Sequence, residues 1–309
     1  WQVNPDNRVY LNPKKMQGSN LILSQGTESI SIRASEEVLS GLPLTAEMHD
    51  FQLESLTGML FDSTIITGMV NGKFSLANYS PLSFTSDLRI DTLTFLGSRH
   101  GNLHAAAKTA DEGKYEIDIS LQGEGNDFNG NGSYNTASAE MDFRVVMNPL
   151  NLKPMASFVS TYVDSLSGGL RGDLSIKGSF KEPLINGTLR LDSTYLIVKQ
   201  TGTPLHIPSA GLRFEEQKIF FEGMTLFDSA GRPATITGNG HAENLTDIQY
   251  QLKLQTDKFL LSGKKRYEEQ LVSGPLYAGM ELNIKGDLTE ANIRGSVRIL
   301  DSSLITYTY

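Results

Sequence analysis

The chain has 309 residues, of which 39% are hydrophobic and 20% are charged, a composition typical of a folded chain rather than a disordered one. Its net charge is −8 at pH 7, and the sequence contains no run of Lys and Arg residues that could track a phosphate backbone, so we expect no nucleic-acid partner. The absence of cysteine excludes disulfides, thiolate metal sites and cysteine nucleophiles.

The ends of the sequence carry no targeting or membrane-spanning pattern. No apolar stretch approaches the roughly 18 residues that span a bilayer, and the first ten residues have neither a basic nor an apolar signal region. The sequence starts at Trp1 and ends at Tyr309 within a strand-like run. We therefore expect a piece of a longer protein, in which any signal, membrane anchor or membrane contact belongs to segments outside this sequence.

The first predicted element is a short amphipathic helix over residues 51–62. Its apolar residues recur at spacings of three and four, which places them on one helical face, although Gly58 lowers the helical propensity. We expect it to cap the end of a sheet, because it lacks the basic polar face of a membrane-surface helix. The apolar positions are Leu53, Leu56, Met59 and Leu60.

Further along the chain, several segments alternate between apolar and polar residues. Such alternation puts one set of side chains on each face of a β-strand, so that one face is dry and the other is wet. The apolar sets are Tyr115, Ile117, Ile119 and Leu121; Met141, Phe143, Val145 and Met147; Leu189 and Leu191; and Ile248, Tyr250, Leu252 and Leu254.

Asn-Gly pairs lie close to these runs, at residues 71–72, 131–132, 186–187 and 239–240. Because both residue types tolerate positive φ, the pairs predict tight hairpin turns and an antiparallel, dominantly β chain. A second short amphipathic helix is predicted within residues 151–168, where Pro154 suits the first turn. Its apolar positions are Met155, Phe158, Val159, Tyr162, Val163 and Leu166.

A loose internal repeat runs through the chain. Gly68 and Gly72 recur 100 residues later as Gly168 and Gly172, and residues 174–191 match residues 282–299 at an offset of 108. The units are about 1–67, 68–167, 168–273 and 274–309, with no linker between them, which predicts one continuous elongated β region. Periodicity alone favours a closed β-sandwich over an open sheet, because an exposed apolar face is costly.

Two longer segments carry a resemblance to a known family. Residues 150–191 have the helix, Ser-Gly turn and G-x-L-x-I-x-G unit of TamB-like proteins, and residues 207–261 are similar to their next unit, including the D-x-x-G step that starts at Asp228. The similarity covers roughly residues 140–300. It implies a place in the AsmA-like, bridge-like lipid transfer group, whose curved antiparallel sheet forms a U-shaped apolar groove, the β-taco.

The resemblance also implies a location and partners. Proteins of this family lie in the periplasm, are anchored in the inner membrane by an N-terminal segment, and work with an outer-membrane barrel of the assembly-factor class. It further implies a non-enzymatic groove for phospholipid or another lipid, linked to outer-membrane protein assembly. The candidate groove-lining residues are Tyr115, Ile117, Ile119, Leu121, Met141, Phe143, Val145, Leu189, Leu191, Ile248, Tyr250, Leu252 and Leu254.

Two other functions stay open at this point. The chain could be a rigid scaffold that binds an outer-membrane barrel or its substrates by β-strand augmentation. A glycan-binding module is a weaker alternative, because the sequence has a single tryptophan and no evident aromatic platform.

No pattern in the sequence predicts an enzyme, a cofactor or a metal site. His100 and His104 have the spacing of a helical zinc pair but lie in a β context without the intervening Glu, so we expect two ordinary surface imidazoles. Residues 127–132 match the first half of an EF-hand loop, yet Ser138 stands where a bidentate Glu is required. We interpret this run as a hairpin loop, with a weak surface cation site as the alternative.

Overall fold

The computed structural model of the chain describes residues 1–12, 15–19, 21–34, 44–55, 66–199, 201–244, 247–262, 272–287, 289–304 and 306–307. Strands dominate these residues, and none of the helices among them is long and apolar enough to cross a membrane. The strands are β1 (Gln2–Val3), β2 (Arg8–Asn12), β3 (Lys15–Ser19), β4 (Leu21–Gln25), β5 (Glu28–Ala34), β6 (Leu44–Gln52), β7 (Ile66–Tyr79), β8 (Leu82–Phe95), β9 (Ser98–Asp111), β10 (Lys114–Gly123), β11 (Asn126–Asn135), β12 (Glu140–Asn151), β13 (Val163–Ser179), β14 (Pro183–Val198), β15 (Thr203–Glu216), β16 (Lys218–Phe227), β17 (Pro233–Ala242), β18 (Ile248–Ser262), β19 (Val272–Ser273), β20 (Leu276–Gly286), β21 (Ala291–Ile299) and β22 (Thr306–Tyr307).

An antiparallel sheet of 18 strands contains most of these elements. Its strands pair in chain order, as from β4 to β10 and from β13 to β18, with β18 then joining β20 and β20 joining β21. The strand pairs β2–β3 and β19–β22 are separate. The predicted all-β antiparallel fold is confirmed.

The chain forms two compact units, Trp1–Val145 and Val146–Tyr309, with the boundary inside β12. In the second unit the sheet curves until β15 meets β18, where the Thr203 Oγ1 hydroxyl donates to the Leu261 carbonyl oxygen over 2.7 Å. The curvature encloses a small core on the apolar side. Its buried members are Ile207, Ala210, Leu226, Ala234, Phe259, Ala278 and Met280.

In the first unit, large side chains meet across an intervening strand. The ring centroids of Phe84 on β8 and Tyr115 on β10 are 5.4 Å apart, although β9 lies between these strands. Neighbouring strands are about 4.8 Å apart, so rings two strands away from each other would be separated by roughly twice that in a flat sheet. Thr109 of β9 lies at this level, since it pairs with Tyr115 and its Oγ1 accepts the backbone N–H of Phe84 at 2.9 Å.

The Asn-Gly pairs do not form hairpin turns, and this prediction was wrong. All four pairs lie inside strands, in β7, β11, β14 and β17. Gly187 shows the reason: its φ is 133°, and a Cβ at this position would collide with the carbonyl oxygen of Asp173 on β13. The glycines therefore allow a close approach between neighbouring strands where the sheet bends. The turns lie elsewhere, for example at Gly113, whose φ is 71°.

The second predicted helix is shorter than expected. Residues Lys153–Val159 form a 3-10 helix, and the chain becomes strand β13 at Val163. Val163 pairs with Val198 of β14, so strand pairing overrides the helical spacing of the last predicted positions. Of the first predicted helix, residues 53–55 are helical and residues 56–62 lie outside the described residues.

Candidate functional site

The second unit carries a continuous apolar face. Residues directly opposite each other in an antiparallel pair project from the same side of a sheet, so the strand register traces this face. It crosses β14, β15, β16, β17, β18, β20 and β21 through Leu189, Leu212, Phe221, Gly238, Leu252, Ile284 and Ile293.

This face is only partly covered. Leu189, Leu252 and Ile284 are half-buried, and Ile293 is 59% exposed. On the same strand as Ile293, the side chains of Val297 and Ile299 are 52% and 59% exposed. Contiguous apolar surface left open to water in this way is uncommon unless it binds something.

The predicted lining residues of the second unit divide into two groups. Leu191 and Leu254 pack against the buried core cluster, so they contribute to the stability of the fold. Leu189, Ile248, Tyr250 and Leu252 are half-buried and do not belong to that cluster. The open part of the face therefore lies away from the contact between β15 and β18.

The first unit has an apolar face of its own, traced by the register of β4 to β11. Of the predicted residues, Ile119 is the most open at 39% exposure, whereas Met141 is buried at 5%. Tyr115, Ile117, Leu121, Phe143 and Val145 are half-buried. The row runs through Leu23, Ile30, Met48, Gly72, Leu88, Ala105, Ile119 and Gly130.

Several residues of these faces have no clear signal in the sequence. Leu212 and Phe214 alternate within a run that also contains glycine and charged residues, and Ile219 and Phe221 flank an outward-facing Phe220. The guanidinium of Arg213 lies 4.4 Å from the centroid of the Phe220 ring and covers it. Consecutive aromatic residues hid the alternation there, although the period of two is visible once Phe220 is assigned to the polar side.

Cross-strand ion pairs occupy the opposite, polar faces. Lys253 Nζ lies 2.7 Å from Glu281 Oε1, and Lys108 Nζ lies 2.9 Å from Glu116 Oε2. The hydrogen bond within the second pair raises the pKa of Lys108 and lowers that of Glu116. These exposed pairs keep the polar face wet and distinct from the apolar face.

A buried carboxylate fixes the connection between β16 and β17. Asp228 Oδ1 accepts from the backbone N–H groups of Ala230 and Arg232, at 2.9 and 3.0 Å. Its Oδ2 accepts from Arg232 Nε at 2.7 Å and from the Leu260 N–H at 2.9 Å. Burial raises the pKa of Asp228, but these hydrogen bonds outweigh burial, so the net pKa is lowered. The arrangement ties the hairpin to β18.

The two histidines have different surroundings. His100 is 6% exposed, so the prediction of a surface imidazole was wrong for this residue. Its ring meets Phe95 edge-on with the centroids 6.3 Å apart, and burial lowers its pKa despite a backbone hydrogen bond at Phe95 that raises it. His104 Nε2 lies 3.0 Å from Asp87 Oδ1 at the surface.

The EF-hand-like run does not form a loop. Residues Asp127, Asn129 and Asn131 lie in β11 and pair in register with β10, so they extend along a strand instead of surrounding a cation. Asn129 Nδ2 donates to Asp127 Oδ1 over 3.2 Å. Among the residues that the structure describes, no group of three or more His, Cys, Asp and Glu side chains could hold a metal ion.

The chain matches no protein-family model, no curated protein and no solved structure. The TamB-like resemblance therefore depends on the sequence motifs.

Proposed function

We propose that this chain is a non-enzymatic segment of a TamB-like envelope protein whose apolar faces hold the acyl chains of phospholipids. In this proposal it lies in the periplasm, carries lipid between the two membranes and acts with an outer-membrane barrel. The observation that carries the proposal is the row from Leu189 to Ile293, which is apolar on every strand it crosses and is still partly open to water.

The energetics suit a sliding ligand. Transfer of an acyl chain from water to an apolar face yields roughly 0.8 kcal/mol per methylene and needs no specific polar contact. A surface without fixed polar groups lets such a ligand move along it without breaking hydrogen bonds. The half-buried side chains of Leu252 and Ile284, which face each other across β18 and β20, would contact the chain.

The test introduces one carboxylate on either face. Leu252→Asp places it on the apolar face, and Asn283→Asp places it on the polar face of the adjacent strand, opposite Lys253 and Arg294. Asn283 is a better control than Lys253, because Lys253 is paired with Glu281. A phospholipid with a photoreactive acyl chain should crosslink to Leu252→Asp about tenfold less than to the wild type, since contact with hydrocarbon desolvates the carboxylate.

Both variants should keep the far-UV circular dichroism of the wild type, because water reaches an open face. Unfolding of Leu252→Asp alone would indicate a closed, dry core and contradict the open groove. Unchanged crosslinking of a folded Leu252→Asp would instead favour a scaffold that binds partners by strand addition. One observation supports that second candidate: all nine residues of β21 are exposed.

A further inference from the structure

The polar side of the second unit contains a depression of about 430 Å³. Gly240 and Tyr250 face each other on the apolar side, so their chain neighbours Asn239 and Gln251 project from the polar side. Asn239 faces Gln251, Gln251 faces Lys285 and Lys285 faces Asn292, which makes an unbroken row over β17, β18, β20 and β21. Directly opposed side chains have Cβ atoms about 5 Å apart.

The side chains in this row differ from the cross-strand ion pairs of the polar face, such as the pair of Lys253 with Glu281. Within the described part of the chain, the amides of Asn239, Gln251 and Asn292 have no hydrogen-bond partner. Each amide thus presents donors and an acceptor to a ligand.

A second depression of about 820 Å³ adjoins the first, because His241 lines both. It lies among the hairpin connections at one end of β13 to β18 and is lined by Phe180, Gln217 and Glu243, among others. Phe180 is 57% exposed, which is unusual for a phenylalanine. Its ring offers a flat apolar surface beside the amides.

The charges around the two depressions are mixed. Lys285 and Asp287 line the first, and Lys181, Glu182 and Glu243 line the second. A polyanion such as a nucleic acid or a polyphosphate would meet a carboxylate beside each lysine. A neutral ligand that carries many hydroxyl or acetamido groups fits better, because amides both donate to and accept from such groups.

We infer that these two depressions form a binding site for a neutral oligosaccharide. The amides of Asn239, Gln251 and Asn292 bond its hydroxyl or acetamido groups, and the apolar side of one sugar ring lies on Phe180. The site lies on the polar side of the sheet, so it does not depend on the proposed lipid groove. The sugar can be a free glycan chain or the head group of a glycolipid, which share this chemistry.

The experiment measures binding of three probes to the full chain: a soluble N-acetylglucosamine oligomer, a soluble glucose oligomer, and vesicles of neutral phospholipid with and without a neutral glycolipid. The double variant Asn239→Ala/Gln251→Ala should weaken sugar binding about tenfold or more, since two hydrogen bonds are lost. Phe180→Ser should weaken it as well. Asn283→Ala removes an exposed amide from the same polar face outside the two depressions, and should leave binding within about twofold.

The outcomes distinguish the sources of the sugar. Binding of a soluble oligomer that the double variant loses supports a site for a free glycan. Binding restricted to the glycolipid vesicles and lost in the double variant supports a head-group site. The inference is overturned if no probe binds, or if the double variant and Phe180→Ser bind as the wild type does. All of these variants should retain acyl-chain crosslinking, so failure here leaves the lipid proposal standing.

Discussion

At the scale of single residues, the Asp228 carboxylate accepts four hydrogen bonds. One carboxylate joins the β16–β17 connection to the backbone of β18, and Arg232, which donates to it, also lies over the Tyr277 ring of β20 with its guanidinium carbon 4.2 Å from the centroid. The Asp228 side chain has 0% exposure, so its negative charge is stabilised by these partners and not by water. The D-x-x-G step that marked the resemblance in the sequence thus holds the β16–β17 connection against β18.

Replacement of Asp228 should expose this dependence. Asp228→Asn keeps the shape but brings an amide N–H group against the donors, and should lower the free energy of unfolding by about 2–4 kcal/mol. Because the folded-state pKa is lowered, the contribution of the wild-type carboxylate is complete above its unfolded pKa of roughly 3.9 and is lost as the pH falls through the folded value. Urea unfolding at neutral and acidic pH measures both effects.

The matched control for this change is Asp257→Asn, which alters an exposed carboxylate on β18. It should change stability by less than about 0.5 kcal/mol at any of these pH values. If the two variants unfolded at the same urea concentration, the hydrogen bonds of Asp228 would contribute no more to stability than an ordinary surface charge does.

At the scale of elements, the asparagines of two Asn-Gly pairs accept hydrogen bonds from irregular backbone on a neighbouring strand. Asn71 Oδ1 accepts the backbone N–H of Asp50 at 2.9 Å, and Asn186 Oδ1 accepts that of Glu216 at 3.3 Å. Asp50 and Glu216 both have positive φ. The asparagine therefore satisfies an N–H group that the irregular neighbouring strand leaves unpaired. The glycine that follows lies on the other face of the strand, where the absence of a side chain lets the neighbouring strand approach closely.

Gly238, which precedes the Asn-Gly pair at 239–240, tests whether glycines inside the strands are needed for close strand approach. Its φ is 149°, and a Cβ there would collide with the carbonyl oxygen of Gln251 on β18. Gly238→Ala should therefore destabilise the second unit by about 2–3 kcal/mol. Gly223→Ala is the control, because Gly223 has a φ of 65° with nothing within 4 Å of its Cβ position, and should cost only about 1 kcal/mol. Equal urea midpoints for the two variants would show that close strand approach is not limiting.

The strands could be predicted because their signal is local. Each alternating run, such as the one that contains Leu252, became a strand with its apolar residues on one face, since the two-residue period follows directly from strand geometry. The role of Gly187 could not be predicted, because it depends on Asp173 in a neighbouring strand. The burial of His100 likewise results from the shape of the sheet around Phe95, which no local pattern encodes.

The candidate site was predictable in part for the same reason. Leu189 and Leu252 were found from alternation alone, yet Leu191 and Leu254 alternate equally well and pack against the core cluster instead. Curvature decides which part of an apolar face closes and which stays open, and curvature arises from bulges and close contacts distant in sequence. The row of amides that includes Asn239 has no signal in the sequence, because its residues come from four different strands.

At the scale of the whole molecule, the net charge and the apolar faces would make opposite contributions to the proposed lipid binding. The net charge of −8 repels anionic membranes, whereas an apolar face that holds acyl chains would do so whatever the head group. Repulsion between charges is screened by salt, and burial of hydrocarbon is not. Lipid binding by this chain should therefore follow the length of the acyl chain and not the charge of the lipid.

This difference gives a test that needs no mutation. Single-chain lipids with a neutral head group, from decanoyl to tetradecanoyl, should bind with an affinity that rises about fourfold per methylene, because each methylene contributes roughly 0.8 kcal/mol. Fluorescence displacement of a bound acyl probe measures the series, and affinities should change little between low salt and about 0.5 M sodium chloride. An anionic series of equal lengths serves as the control: it should have the same slope, with an offset that disappears at high salt. An affinity that is independent of chain length would remove the acyl chain as the bound group and leave the strand-addition scaffold as the better account of the apolar faces.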